Sequence, residues 1–227
     1  MKLSNFFEGH PEIKNLKVVL TDLNGVFRGK KIPISQIYKI ENGNFRMPFS
    51  VMNLDIWGND IEKSKWVFST GDADGKCFWT KKKPLIINGD NNNSALVPVS
   101  MHHENKKPFM GDPSHLLIEL ESNLRKQNLT PVMGVELEFY LIKIKSNLEY
   151  SDSNMYSISE IDKHHELFDE IAKISEENNI KIESTISEAG PGQFEIVLLH
   201  SNSLVKCCRK YNFFKIYYKD FSRKAWI

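Results

Sequence analysis

Short apolar runs separated by turn chemistry fill the first hundred residues. Val18-Val19-Leu20, Lys65-Trp66-Val67-Phe68, Pro84-Leu85-Ile86-Ile87 and Ala95-Leu96-Val97-Pro98-Val99 read as strands, with Asn42-Gly43 and Asn88-Gly89-Asp90 as turns. This alternation predicts a small mixed β domain over residues 15–105. Beyond Pro113 the period lengthens. Ser114 is placed to cap a helix whose apolar positions Leu116, Leu117, Leu120 and Leu124 recur at helical spacing. A second helix is expected from about Ser159 to Asn178-Asn179, burying Ile161, Phe168, Ile171, Ala172 and Ile174. A strand between these helices and a hairpin after them would open an α+β domain, so the chain divides near residue 110.

Composition narrows the class. A chain of 227 residues suits one large or two small domains. Net charge is +1, with 26% charged and 41% hydrophobic residues, which does not indicate disorder and argues against a basic footprint for nucleic acid. No apolar run approaches the ~20 residues a bilayer span requires, and the N-terminus lacks a signal-peptide pattern. Cys77, Cys207 and Cys208 form neither a disulfide framework nor a zinc spacing. A cytoplasmic protein without membrane or nucleic-acid partners is expected.

Several tempting features read as structural. Asp72-Ala73-Asp74-Gly75 begins like a calcium loop but lacks a glutamate at the twelfth loop position, so a turn is expected. Lys81-Lys82-Lys83 reads as a solvated loop and His164-His165 as solvated mid-helix positions. His102-His103 lack metal-ligand partners at useful spacing. There is no Gly-rich phosphate loop.

Two acidic motifs remain, and they carry the chemistry. Gly134-Val135-Glu136-Leu137-Glu138-Phe139-Tyr140 places two glutamates among strand formers, and period-2 alternation puts Glu136 and Glu138 on one face. Glu188-Ala189-Gly190-Pro191-Gly192-Gln193-Phe194-Glu195-Ile196 reads as strand, tight turn, strand, so Glu188 and Glu195 can flank one site. Converging carboxylates repel one another unless protonated or neutralised by a cation. Hard oxygen donors of this kind suit Mg²⁺ or Mn²⁺.

In this order and with this turn between them, the motifs resemble the glutamine synthetase family, in particular its γ-glutamylpolyamine synthetase group. Asp22-Leu23-Asn24-Gly25 with Arg28-Gly29-Lys30 and Pro33 resembles the family's first hairpin. Phe49-Ser50 with Leu54-Asp55-Ile56-Trp57-Gly58, then Gly71-Asp72-Ala73-Asp74-Gly75, then Lys107-Pro108-Phe109 and Asp112-Pro113, follow in family order. The resemblance implies an α+β fold with a β-grasp-like domain over 1–110 and the first part of the catalytic domain over 111–206. It implies divalent metal bound by Glu136, Glu138, Glu188 and Glu195, with Glu183 on the nucleotide side. Ser114 stands where the family usually carries arginine.

The implied reaction is ATP-dependent joining of ammonia or an amine to the γ-carboxylate of glutamate through γ-glutamyl phosphate. Intact members of the family form homo-oligomeric rings. The likeness stops after His200-Ser201-Asn202-Ser203, and Cys207 onward is unlike the expected helix. Back-translated with A/T-leaning codons and read one nucleotide later, the tail becomes an amphipathic peptide ending in glycine. On this reading a frameshift near Lys206 sets 207–227 out of frame and leaves an inactive, truncated ligase. The alternatives are a basic aromatic tail with its own role, and a non-catalytic fragment that assembles with full-length synthetase subunits.

Overall fold

The computed structural model describes residues 2–87, 93–142, 154–212 and 214. They form two compact units, residues 1–120 and 121–227. The expected turn at Asn88-Gly89-Asp90 lies outside the described residues.

The first unit opens with α1 (Leu3–Glu8), β1 (Asn15–Thr21) and β2 (Phe27–Pro33). Then come α2 (Tyr38–Glu41), β3 (Phe45–Pro48), α3 (Lys65–Phe68), β4 (Asp74–Trp79), β5 (Leu85–Ile87) and β6 (Ser94–His102). The strands form one mixed sheet in the order β2-β1-β6-β4-β3, with β5 also on β6. β6 is the hub. Its first half runs parallel to β1 and antiparallel to β5, and its second half runs antiparallel to β4. Leu16, Val18 and Leu20 alternate inward from β1 to meet Ala95, Val97, Val99 and Met101 of β6 in one core with Phe45, Phe49 and Phe109. Cys77 is wholly buried there, and burial pushes its thiol up to about 12, so it is an inert packing residue.

Asp22 fixes the first hairpin. Only 3% exposed, it accepts the backbone N–H groups of Asn24 (2.9 Å) and Val26 (2.8 Å) and the Arg28 Nε (2.8 Å). A buried carboxylate is tolerated because three donors, one of them cationic, surround it.

Two expectations fail in this unit. Lys65–Phe68 is α3 and not a strand, because the buried Ser64 hydroxyl accepts the Trp66 N–H and caps a helical turn. Ser114 is not the cap of the next helix, α4 (Pro113–Lys126). Asp112 holds that place: its Oδ1 accepts from the Ser114 N–H (2.9 Å) and hydroxyl (2.6 Å), while its Oδ2 accepts the Met101 N–H (2.9 Å). Pro113 then occupies the first helical position, where its missing N–H costs nothing. On α4 the buried side chain is His115, whereas Leu116, Ile118 and Leu120 are exposed.

The second unit comprises β7 (Met133–Tyr140), α5 (Ile158–Asp162), α6 (His165–Glu177), β8 (Ile182–Ser187) and β9 (Gln193–Ser201). Its sheet is antiparallel with β9 central, in the order β7-β9-β8. The expected single helix is broken into α5 and α6 at Lys163-His164. Leu167, Phe168, Ile171 and Ser175 form its buried stripe, while Ala172 is exposed. His164 is half-buried, its ring 5.4 Å from that of Phe194, so it is a packing residue and not a solvated one. Residues 204–212 are helical, with Cys207 and Phe214 buried. Leu204, Cys207, Cys208 and Tyr211 supply the helical period that makes this possible. Among the described residues no helix is long and apolar enough to cross a membrane.

Candidate metal centre

Alternation along β7 separates two faces. Glu136, Glu138 and Tyr140 are exposed, while Val135, Leu137 and Phe139, which alternate with them, are half-buried. On β9, Phe194, Ile196 and Leu198 are fully or almost fully buried, and Phe194 packs its ring 5.2 Å from that of Phe168 on α6. The opposite face of β9 carries Gln193, Glu195 and Val197.

Pairing then gathers the acids. Glu138 lies directly opposite Glu195, and Glu136 opposite Val197, one step along on the same face. On the other side Ile186 opposes Glu195. The pairing continues past β8, where the Glu188 N–H donates to the Gln193 carbonyl at 2.8 Å, so Glu188 falls on the face of Glu195. The connecting turn is built from Gly190-Pro191-Gly192-Gln193. The Gln193 N–H donates to the Gly190 carbonyl (2.9 Å), and Gly192 sits at φ +71. Proline at the second position and a left-handed glycine at the third make this a type II turn.

Glu195 is the electrostatic centre. It is 8% exposed. Burial first, then Glu136, Glu188 and Glu138, and a hydrogen bond with the Glu188 carboxyl, raise its pKa above the ordinary glutamate value. All four glutamates singled out in the sequence therefore act on one spot. They do not form a finished cage: among the described residues no group of three or more His, Cys, Asp or Glu side chains is gathered closely enough to hold a metal ion. Mutual repulsion opposes closer approach, and the Glu138 carboxylate is engaged by the Gln193 Nε2 at 2.8 Å. The donor set suits a hard divalent cation: oxygen ligands, high negative charge and one member already buried.

Glu183 is exposed at the far end of the hairpin, where it pairs with His200 at 3.5 Å. A Cβ on Gly134 would lie 2.8 Å from the His200 Nε2, so glycine at the β7 irregularity gives that ring its place. Sequence reasoning did not assign Gln193 a role, although it stands inside the second acidic motif.

A mixed α/β chain with an acidic three-stranded sheet is the class these features define. The sequence pattern of the glutamine synthetase catalytic domain matches residues 110–225, and the chain belongs to the glutamine synthetase family. Gamma-glutamylputrescine synthetase PuuA of Escherichia coli (strain K12) is 30% identical over 221 residues, covering 91% of this chain and 47% of that protein. The glutamine synthetase of Thermotoga maritima is 24% identical over 189 residues, covering 81% and 41% respectively. A solved GmaS–ADP complex superposes with a TM-score of 0.81 at 19% identity, over 99% of this chain and 50% of that one. Plasmodium falciparum glutamine synthetase gives 0.69 at 14% identity, over 96% and 48%. Both structures share the fold, and the chain spans about half the length of the relatives it matches. The domain match runs through residue 225 and so takes in the residues after Lys206.

Proposed function

We propose that the chain serves an ATP-dependent ligase that forms a γ-glutamyl amide from glutamate and ammonia or an amine through γ-glutamyl phosphate. The observation that carries this reading is the gathering of Glu136, Glu138, Glu188 and the buried Glu195 on one face of the three-stranded sheet in a chain of the glutamine synthetase family. Glu136, Glu138, Glu188 and Glu195 would hold Mg²⁺ or Mn²⁺, and Glu183 would lie on the nucleotide side. Such ions neutralise phosphate charge and orient the transferring group. The protein's own part is to fix the carboxylates on paired strands, which position ligands more tightly than loops do. The E. coli relative named for γ-glutamylputrescine makes putrescine a natural amine to test. The mixed sheet of the first unit fits the β-grasp-like domain that the family resemblance implies. A cytoplasmic, homo-oligomeric ring is the corresponding assembly.

The part of the relatives that this chain does not span holds, on the family resemblance, the remaining metal ligands and the phosphate-binding arginines. The 227 residues alone are therefore expected to bind Mn²⁺ and to release no phosphate with ATP, glutamate and ammonia, hydroxylamine or putrescine. Calorimetric Mn²⁺ titration is the first test, and Glu195→Gln should weaken binding. Absence of Mn²⁺ binding, or binding indifferent to Glu195→Gln, sinks the metal reading. Turnover abolished by Glu138→Ala would sink only the expectation of inactivity.

A further inference from the structure

We infer that Gln193 is a positioning residue that ties the two acidic motifs together and sets where Glu138 can meet a metal shared with Glu188 and Glu195. This rests on the metal reading proposed above.

Every hydrogen-bonding group of Gln193 is engaged. Its backbone N–H donates to the Gly190 carbonyl (2.9 Å), and its carbonyl accepts the Glu188 N–H (2.8 Å). Its Oε1 accepts the Gly190 N–H (2.9 Å), and its Nε2 donates to Glu138 Oε2 (2.8 Å). The orientation of the carboxamide follows from chemistry, since a backbone N–H can only donate and a carboxylate can only accept. A carboxamide supplies one acceptor and one donor in a single plane. Glutamate at this position would lack the donor, and lysine would lack the acceptor.

A simple turn staple would need only Oε1. The Nε2 bond goes to another strand, running diagonally from the Tyr140–Gln193 pair that ends the β7–β9 ladder to Glu138, which lies opposite Glu195. The surroundings are shaped to fit this arrangement. A Cβ on Gly190 would lie 2.8 Å from Gln193 Oε1 and 2.7 Å from the Tyr140 hydroxyl, so glycine leaves the space that the amide and phenol fill. The Gly192 carbonyl accepts the Leu141 N–H at 2.8 Å, locking the turn to the end of β7 a second time. Gln193 thus touches the glutamate before the turn through its backbone and the β7 glutamate through its side chain.

The test is Mn²⁺ titration of the full chain and its Gln193→Ala, Gln193→Met, Glu138→Ala and Gln193→Ala/Glu138→Ala variants. Methionine keeps the volume without the hydrogen bonds. Loss of an outer-shell partner typically weakens metal binding by about 10- to 100-fold, and both Gln193 variants should fall in that range. In the Glu138→Ala background, Gln193→Ala should weaken binding no further, because its effect passes through Glu138. An equal additional loss there marks a general structural role and overturns the inference. Without metal, the Gln193 side-chain amide NMR signals should shift on Glu138→Ala, and their indifference also overturns it. If the unmodified chain takes up no Mn²⁺, the metal reading falls together with this one. If Mn²⁺ binds and both Gln193 variants bind equally well, this inference alone falls.

Discussion

At the scale of single residues, the raised pKa of Glu195 makes the metal-free protein sensitive to pH. Its folded pKa lies above the ordinary 4.5, so the folded state holds the proton more tightly than the unfolded state. The stability this confers is complete below the unfolded value and is lost as pH rises through the folded one. The melting temperature of the metal-free chain should therefore decline with pH just above the ordinary glutamate range. Glu195→Gln should flatten that decline, and added Mn²⁺ should reverse it in the parent protein. An unchanged slope in Glu195→Gln would place the cost elsewhere. Exposed Glu104 acts in the opposite sense. Hydrogen bonds from Arg46 and Lys76 hold its carboxyl at about 2, so any contribution it makes disappears only in acid. The acid pair on β7 was legible in the sequence because strand alternation is local. The role of Gln193 was not, because it depends on β7 lying beside β9, a contact between residues 55 apart.

Among elements, the sequence yields those whose signal is periodic and loses those decided by one hydrogen bond. β1, β5, β6 and β7 follow from apolar runs or alternation. α3 does not, since a four-residue run such as Lys65–Phe68 carries no period and the Ser64 cap decides it. The break between α5 and α6 was hidden for a related reason: His164 looks polar by type, yet its ring packs on Phe194. The start of α4 turns on Asp112, whose place in the Asp112-Pro113 motif does not by itself mark it as a cap. Asp112→Ala removes the acceptor for Ser114 and for Met101 together, from a buried position. It should destabilise the first unit by about 1–3 kcal/mol. Asp112→Asn keeps one acceptor oxygen and should cost less. Urea unfolding of the two variants measures this, and equal stability of Asp112→Ala and the parent would remove Asp112 as the cap.

For the whole molecule, the two units differ in how much apolar surface they bury. The first has a continuous core running from Leu3 through Phe109. In the second, the buried apolar side chains described are Leu167, Phe168, Ile171, Ile180, Phe194, Ile196, Leu198, Cys207 and Phe214, while Leu129, Val132 and Leu199 are exposed. Its sheet has three strands, so β7 and β8 are both edges among the described residues. Short sheets with open edges and a charged face are the segments that open first. Repulsion around Glu195 lowers stability there further. Native-state hydrogen exchange should therefore show β1 and β6 as the slowest-exchanging strands and β7–β9 exchanging faster. Limited proteolysis should likewise trim the second unit before the first. Mn²⁺ should slow exchange in β7 and β9 selectively, because binding stabilises only the state that holds the four glutamates together. Protection equal in both units, or a Mn²⁺ effect spread evenly along the chain, would contradict this account.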